Sequence, residues 1–142
     1  MAPAAAHRAA LVAGLALALP AAAQEAGARV EVPSGQEVRF IEARRDAGAA
    51  AGLTAGITWR FRFVAPAISR VGGTVNLDTA AQDMEHLCNR FALPWLPQGE
   101  AVGQIVIELA DREVEFGQPA PEATRYFEAF SVQGGRCVWE GF

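Results

Sequence analysis

The sequence predicts an α+β fold: a mostly antiparallel sheet with one long amphipathic helix packed on it and a second short helix. Three observations lead there. The run from Ile57 to Ala65 alternates with a period of two, placing Trp59, Phe61 and Phe63 on one side and Thr58, Arg60, Arg62 and Val64 on the other. A stripe of Ala80, Met84, Leu87, Cys88 and Phe91 recurs at helical spacing. Near the carboxyl end, Gly134-Gly135 separates two short strand-like arms, as a hairpin turn with positive φ requires. A sheet with one covered face accommodates the alternation and the helical stripe together, whereas an all-β barrel leaves the helix no natural place.

A leader precedes the domain. His7 and Arg8 are followed by an apolar run from Ala9 to Leu19, then Pro20 and three alanines, which predicts a secretory signal peptide over residues 1–23 cleaved before Gln24. Even extended to Ala23, the run falls short of the about 20 apolar residues that a spanning helix needs. The residue directly after the cleavage point is Gln24 and not a cysteine, so no lipid anchor is expected there. Residues 24–142 then form a single globular domain, soluble in the periplasm or secreted.

Within that domain, Val30 and Val32 suggest a short strand ended by Pro33-Ser34-Gly35. Glu37 to Ala43 is a second strand, with Val38 and Phe40 on one face. Glycines at 48, 52 and 56 make 45–56 a surface connection leading to the strong strand from Ile57. Pro66 ends that strand. After a turn region to Val75, Asp78 or Thr79 caps the long helix, Thr79 and Gln82 having capping-box spacing. Pro94 and Pro97 close it.

Ala101 to Ala110 reads as a central strand, with Ile105, Ile107 and Leu109 on one face. Asp111-Arg112 turns into a further strand at Glu113 to Phe116. The span from Pro119 to Phe130 predicts the short second helix, with Ala123, Tyr126, Phe127 and Phe130 at three- and four-residue spacing. Ser131 to Gln133 and Arg136 to Trp139 form the terminal hairpin, in which Cys137 and Trp139 face the same way.

Charge and cysteine content narrow the function classes. The chain carries 12 basic and 16 acidic residues for a net charge of -4, and every basic residue is arginine. Loss of Arg8 with the leader makes the mature domain more acidic still, which disfavours general nucleic-acid binding. The two cysteines, in an oxidising compartment, are expected to pair as a Cys88–Cys137 disulfide that fastens the helix to the last strand. Closing a loop of about 50 residues is worth about 4 kcal/mol in the chain-entropy account.

The inventory for catalysis is thin. His86 is the only histidine after the leader, set on the polar side of the helix with Asp83 three residues before and Arg90 four after. With Cys88 and Cys137 it makes too few ligands for zinc. There is no metal-binding histidine-glutamate pattern, phosphate loop or nucleophile elbow, and no cofactor is expected. Glu108, Asp111, Glu113 and Glu115 read as a solvated sheet face balanced by Arg60, Arg62 and Arg112.

Two places suggest binding instead. Trp95 and Leu96 lie between Pro94 and Pro97, where a rigid exposed aromatic can anchor a partner, the alternative being a loop folded over the core. Arg60 and Arg62, two guanidinium groups on one strand face, suit an acidic partner. The reading is a small periplasmic accessory or protein-binding domain without catalysis, with an envelope protein as partner. The alternatives are a small enzyme using the His86 and Asp83 surface, and a purely structural envelope component.

Asp83 to Cys88, Gln104 to Leu109, Val114-Glu115-Phe116-Gly117, Pro121-Glu122-Ala123-Thr124 and the ending Cys137-Val138-Trp139-Glu140-Gly141-Phe142 carry a resemblance over most of residues 36–142. In these segments the chain resembles a family of small exported proteins of uncharacterised function from Rhodobacter-group alphaproteobacteria. Some members carry the label acetolactate synthase, although a thiamine diphosphate enzyme needs a far larger chain. The resemblance implies export and brings no catalytic residue with it.

Overall fold

The computed structural model describes residues 25–47 and 56–141; the segment expected to be a signal peptide and most of the glycine-rich connection lie outside them. Five strands form one sheet in the order β1 (Arg39–Ala47), β2 (Ile57–Val64), β3 (Val102–Ala110), β4 (Arg125–Gln133) and β5 (Arg136–Trp139). β1 with β2, β3 with β4 and β4 with β5 pair antiparallel, while the central β2 and β3 run parallel. A parallel pair cannot be joined by a hairpin, so the chain between them crosses over and carries the helix with it.

That helix is continuous for 19 residues but not uniform. α1 (Leu77–Leu87) is regular, Cys88–Ala92 widens into a π turn, and Leu93–Trp95 resumes an α turn. The widening has a local cause. Pro94 has no N–H to return to the carbonyl of Arg90, and the Leu93 N–H bonds instead to the Cys88 carbonyl five residues back. The cap is Asn76, whose side chain accepts from the Thr79 N–H at 2.9 Å, so the helix begins before the expected Asp78 or Thr79.

Segregation of polar from apolar residues along α1 is incomplete, against the expectation of a clean amphipathic stripe. Asp83 is fully buried, whereas Leu77 is 51% exposed. Ala80, Met84, Leu87, Cys88 and Phe91 join Phe40, Trp59, Phe61, Phe63, Ile105, Ile107, Leu109 and Phe130 in one apolar cluster. Phe91 is its centre. Its ring lies 4.8 Å from Phe40, 5.4 Å from Phe63 and 6.3 Å from Phe61, centroid to centroid. Tilted and edge-to-face arrangements of this kind add about 1 kcal/mol per pair beyond burial.

Three expected elements differ. The second short helix is absent among the described residues, and its carboxyl-terminal half is the start of β4. Tyr126, Phe127 and Phe130 fit a helix by spacing, but aromatic residues pair well across strands, and β3 offers Tyr126 a place opposite Leu109 and Phe130 one opposite Ile105. Glu113 to Phe116 is a loop over the sheet rather than a strand. Val30 and Val32 do not form a strand either; only an isolated bridge joins Arg29 to Arg39.

The terminal hairpin is present, turning at Gly134 and Gly135 with φ of 58° and 74°. Non-glycine residues pay a steric penalty there, which explains the glycine pair. Cys88 and Cys137 form a disulfide, with Cα atoms 6.1 Å apart, that links the π turn of the helix to β5.

Candidate functional site

The sheet face turned away from the helix holds the densest group of charged side chains. β1 contributes Glu42 and Arg44, β2 contributes Arg60 and Arg62, β3 contributes Glu108, and β4 contributes Arg125. The pairing register brings them together: Arg62 sits opposite both Glu42 and Glu108, and Arg60 sits opposite Arg44. Glu108 is 1% exposed and Arg62 is 5% exposed.

Three guanidinium groups converge on the Glu108 carboxylate. Arg125 Nη2 donates at 2.9 Å, Arg62 Nε donates at 3.3 Å, and Arg60 Nη1 stands at 3.8 Å. Arg62 also donates to Glu42 and to the Val114 carbonyl, each at 2.6 Å. Each of its three nitrogens thus donates inside the protein. Arg62, expected on an interaction surface, is instead the internal tie between the sheet and the 111–124 loop.

Arg44 completes the group, bonding Glu42 at 3.4 Å with its guanidinium 3.9 Å from the Phe116 ring centre. Hydrogen bonding from Arg62, with Arg44 nearby, holds the Glu42 carboxyl below the usual range despite partial desolvation. Four arginines therefore share two carboxylates. The excess shows in unmet donors: Nε of Arg44, Arg60 and Arg125 is buried without a hydrogen-bond partner among the described residues. Arg60 is the least engaged of the four, since its contact with Glu108 is a long ion pair without a hydrogen bond.

A groove of about 270 Å³ runs beside Arg60, lined by Gln104, Val106, Phe127, Ala129 and the chain at Glu128. Its floor is low because Val106 lies opposite Ala129, which contributes only a methyl group. Phe127, 45% exposed, forms one wall. The Glu128 carboxylate turns to the other side of the sheet, where it accepts from the Trp139 indole. Gln104 donates to Glu140 at 2.8 Å.

The remaining expected site residues are placed elsewhere. Trp95 is half-buried, edge-on to Trp59 at 5.3 Å and to Phe61 at 5.6 Å, and Leu96 packs against the same cluster. The last helical turn, Leu93–Trp95, thus lays both side chains against the core. Asp83 accepts from Ser34 N at 2.9 Å, Ser34 Oγ at 2.5 Å and Gln36 Nε2 at 2.6 Å. It faces inward, so it makes no acid-base pair with His86. His86 itself borders a wide depression of about 600 Å³ with Glu85, Asn89, Arg90 and Arg136.

Sequence reading set Glu108 against Arg60 and Arg62 on a solvated face, but missed that Glu108 is buried and that Arg125 and Phe127 stand beside them. The available signal was the alternation of Gln104, Val106 and Glu108 on one face of β3, which leaves a buried glutamate to be paired. Among the described residues no group of three or more histidine, cysteine or acidic side chains is arranged to hold a metal ion. No helix among them is long and apolar enough to cross a membrane. Neither a curated protein nor a solved structure matches the chain. One family model matches residues 11–142, and its description reads "Family of unknown function (DUF6497)".

Proposed function

The chain belongs to the DUF6497 family, and from its own geometry we propose that it is an exported accessory domain that docks an acidic protein partner on its outer sheet face and performs no catalysis. The observation that carries this reading is the group of four arginines sharing two carboxylates, set on one face of a protein whose net charge is -4. A local positive field on an acidic body speeds encounter with negative partners and disfavours nucleic-acid wrapping, which needs positive charge over a longer track. Export is supported by the leader pattern and by the disulfide, a bond characteristic of oxidising compartments.

The test is titration of the mature protein with a labelled glutamate-rich peptide at two salt concentrations. Binding should weaken as salt rises and should fall by about tenfold or more on Arg60→Glu, since a reversed charge opposes the peptide where a neutral one would only release it. Equal binding by the wild type and the variant overturns the assignment of this face.

A further inference from the structure

We propose that the groove beside Arg60 reads a specific chemical unit of that partner: a carboxylate followed directly by an apolar, preferably aromatic, side chain. The inference rests on the docking reading above and adds a specificity to it. Arg60 supplies one end. Its Nε is buried and unpaired, and its nearest carboxylate, on Glu108, stands at 3.8 Å and is already bonded by Arg125 and Arg62. An incoming carboxylate gives this guanidinium the close partner that the protein itself does not, and charge-assisted bonds to a planar fork favour a carboxylate over a neutral amide.

The rest of the groove is of the opposite character. Val106 and Ala129 form an apolar floor, 8% and 3% exposed, and Phe127 stands beside them as a large exposed ring. The Phe127 ring lies 5.8 Å from the Arg60 guanidinium and 5.2 Å from that of Arg125, which holds a cation on the ring and keeps the aromatic surface next to the charge. A purely acidic segment would use Arg60 and leave this surface wet. A purely apolar one would bury the floor and leave the guanidinium unanswered. The groove volume of about 270 Å³ admits one residue with its carboxylate-bearing neighbour, not an extended apolar segment. The Glu128 carboxylate is held by Trp139 on the far side of the sheet, and that of Glu140, bonded by Gln104, marks the end of the groove where an apolar side chain and not a second carboxylate belongs.

The experiment compares three fluorescein-labelled peptides of equal length, built on Asp-Phe, Asp-Ser and Asn-Phe repeats, binding to the full mature protein and to Arg60→Gln and Phe127→Ala. The Asp-Phe peptide should bind about tenfold more tightly than either of the others. Arg60→Gln should erase the preference for Asp over Asn, and Phe127→Ala should erase the preference for Phe over Ser. Phe127 is exposed, so its variant keeps the test informative if the Arg60 variant folds poorly. Equal binding of Asp-Phe and Asp-Ser peptides, unchanged by Phe127→Ala, overturns the groove while leaving the docking face standing. Failure of both acidic peptides to bind overturns the two together.

Discussion

At the scale of single residues, the outer face and the loop that follows β3 each depend on the ionisation of a carboxylate that the fold has made more acidic. Glu42 is held down chiefly by its hydrogen bond from Arg62, and Asp111 chiefly by its hydrogen bond from Arg112, against the opposing effect of burial. Both folded values lie below the ordinary ones of 4.5 and 3.8, so the unfolded chain takes up protons first. The stability from these groups is complete above those ordinary values and is lost as pH falls through the lower folded ones. Urea unfolding from pH 6 down to pH 2 should therefore show stability declining below about pH 4.5. Glu42→Gln should make that decline shallower, and an unchanged slope would remove Glu42 from the account.

Asp83 and Arg62 show what residue-by-residue reading can and cannot reach. Both occupy positions that periodicity assigns to a polar face, yet both are buried. Spacing along one element tells which side chains share a side; it does not tell which side another segment will cover. The Arg62 and Glu108 pairing depends on the register between β2 and β3, which are joined by a long crossover, and on a loop that lays the Val114 carbonyl over the guanidinium. The apolar faces of β2 and β3, the glycine turn and the cysteine pair are legible in the sequence because each is a local pattern or a count. The groove was not, since its floor and walls come from three strands.

At the scale of elements, α1 is fastened to the rest of the molecule at two points of different chemistry. At one, the Asp83 carboxylate gathers the backbone and hydroxyl of Ser34 and the amide of Gln36, fixing the turn that enters β1. At the other, Cys88 is bonded to β5. Asp83→Ala leaves three donors without their acceptor in a largely closed site, and should lower the unfolding free energy by about 3 kcal/mol, read by urea denaturation. Asp83→Asn, which keeps an acceptor oxygen, should lose less. The first six residues of β4, Arg125 to Phe130, read as helix in the sequence because their aromatic spacing satisfies both periods, and only the presence of β3 alongside decides between them.

For the whole molecule, one face of the sheet carries the apolar cluster around Phe91, while the other is charged and only partly covered. Stability and binding are thereby separated. Arg60 and Phe127 can change with little effect on the aromatic cluster around Phe91, and the disulfide can be removed without touching the outer face. The double variant Cys88→Ala with Cys137→Ala should lose about 4 kcal/mol of stability through the freed entropy of the unfolded loop. In thermal unfolding it should melt at a lower temperature than the parent, and peptide affinity measured well below the transition should be retained.

The side-by-side, same-direction alignment of β2 and β3 also sets the order in which the molecule can assemble. A hairpin such as β4 and β5 forms between neighbours in sequence within microseconds, and the helix forms faster still. The two middle strands have no such shortcut, since the polypeptide must first travel out, wind the helix and return before their ladder can close. Distant contacts of this type slow folding. Closing the sheet's own centre should therefore be the slow part of folding, and stopped-flow refolding of a variant weakened at Ile107 should be slowed more than that of one weakened in the β4–β5 hairpin.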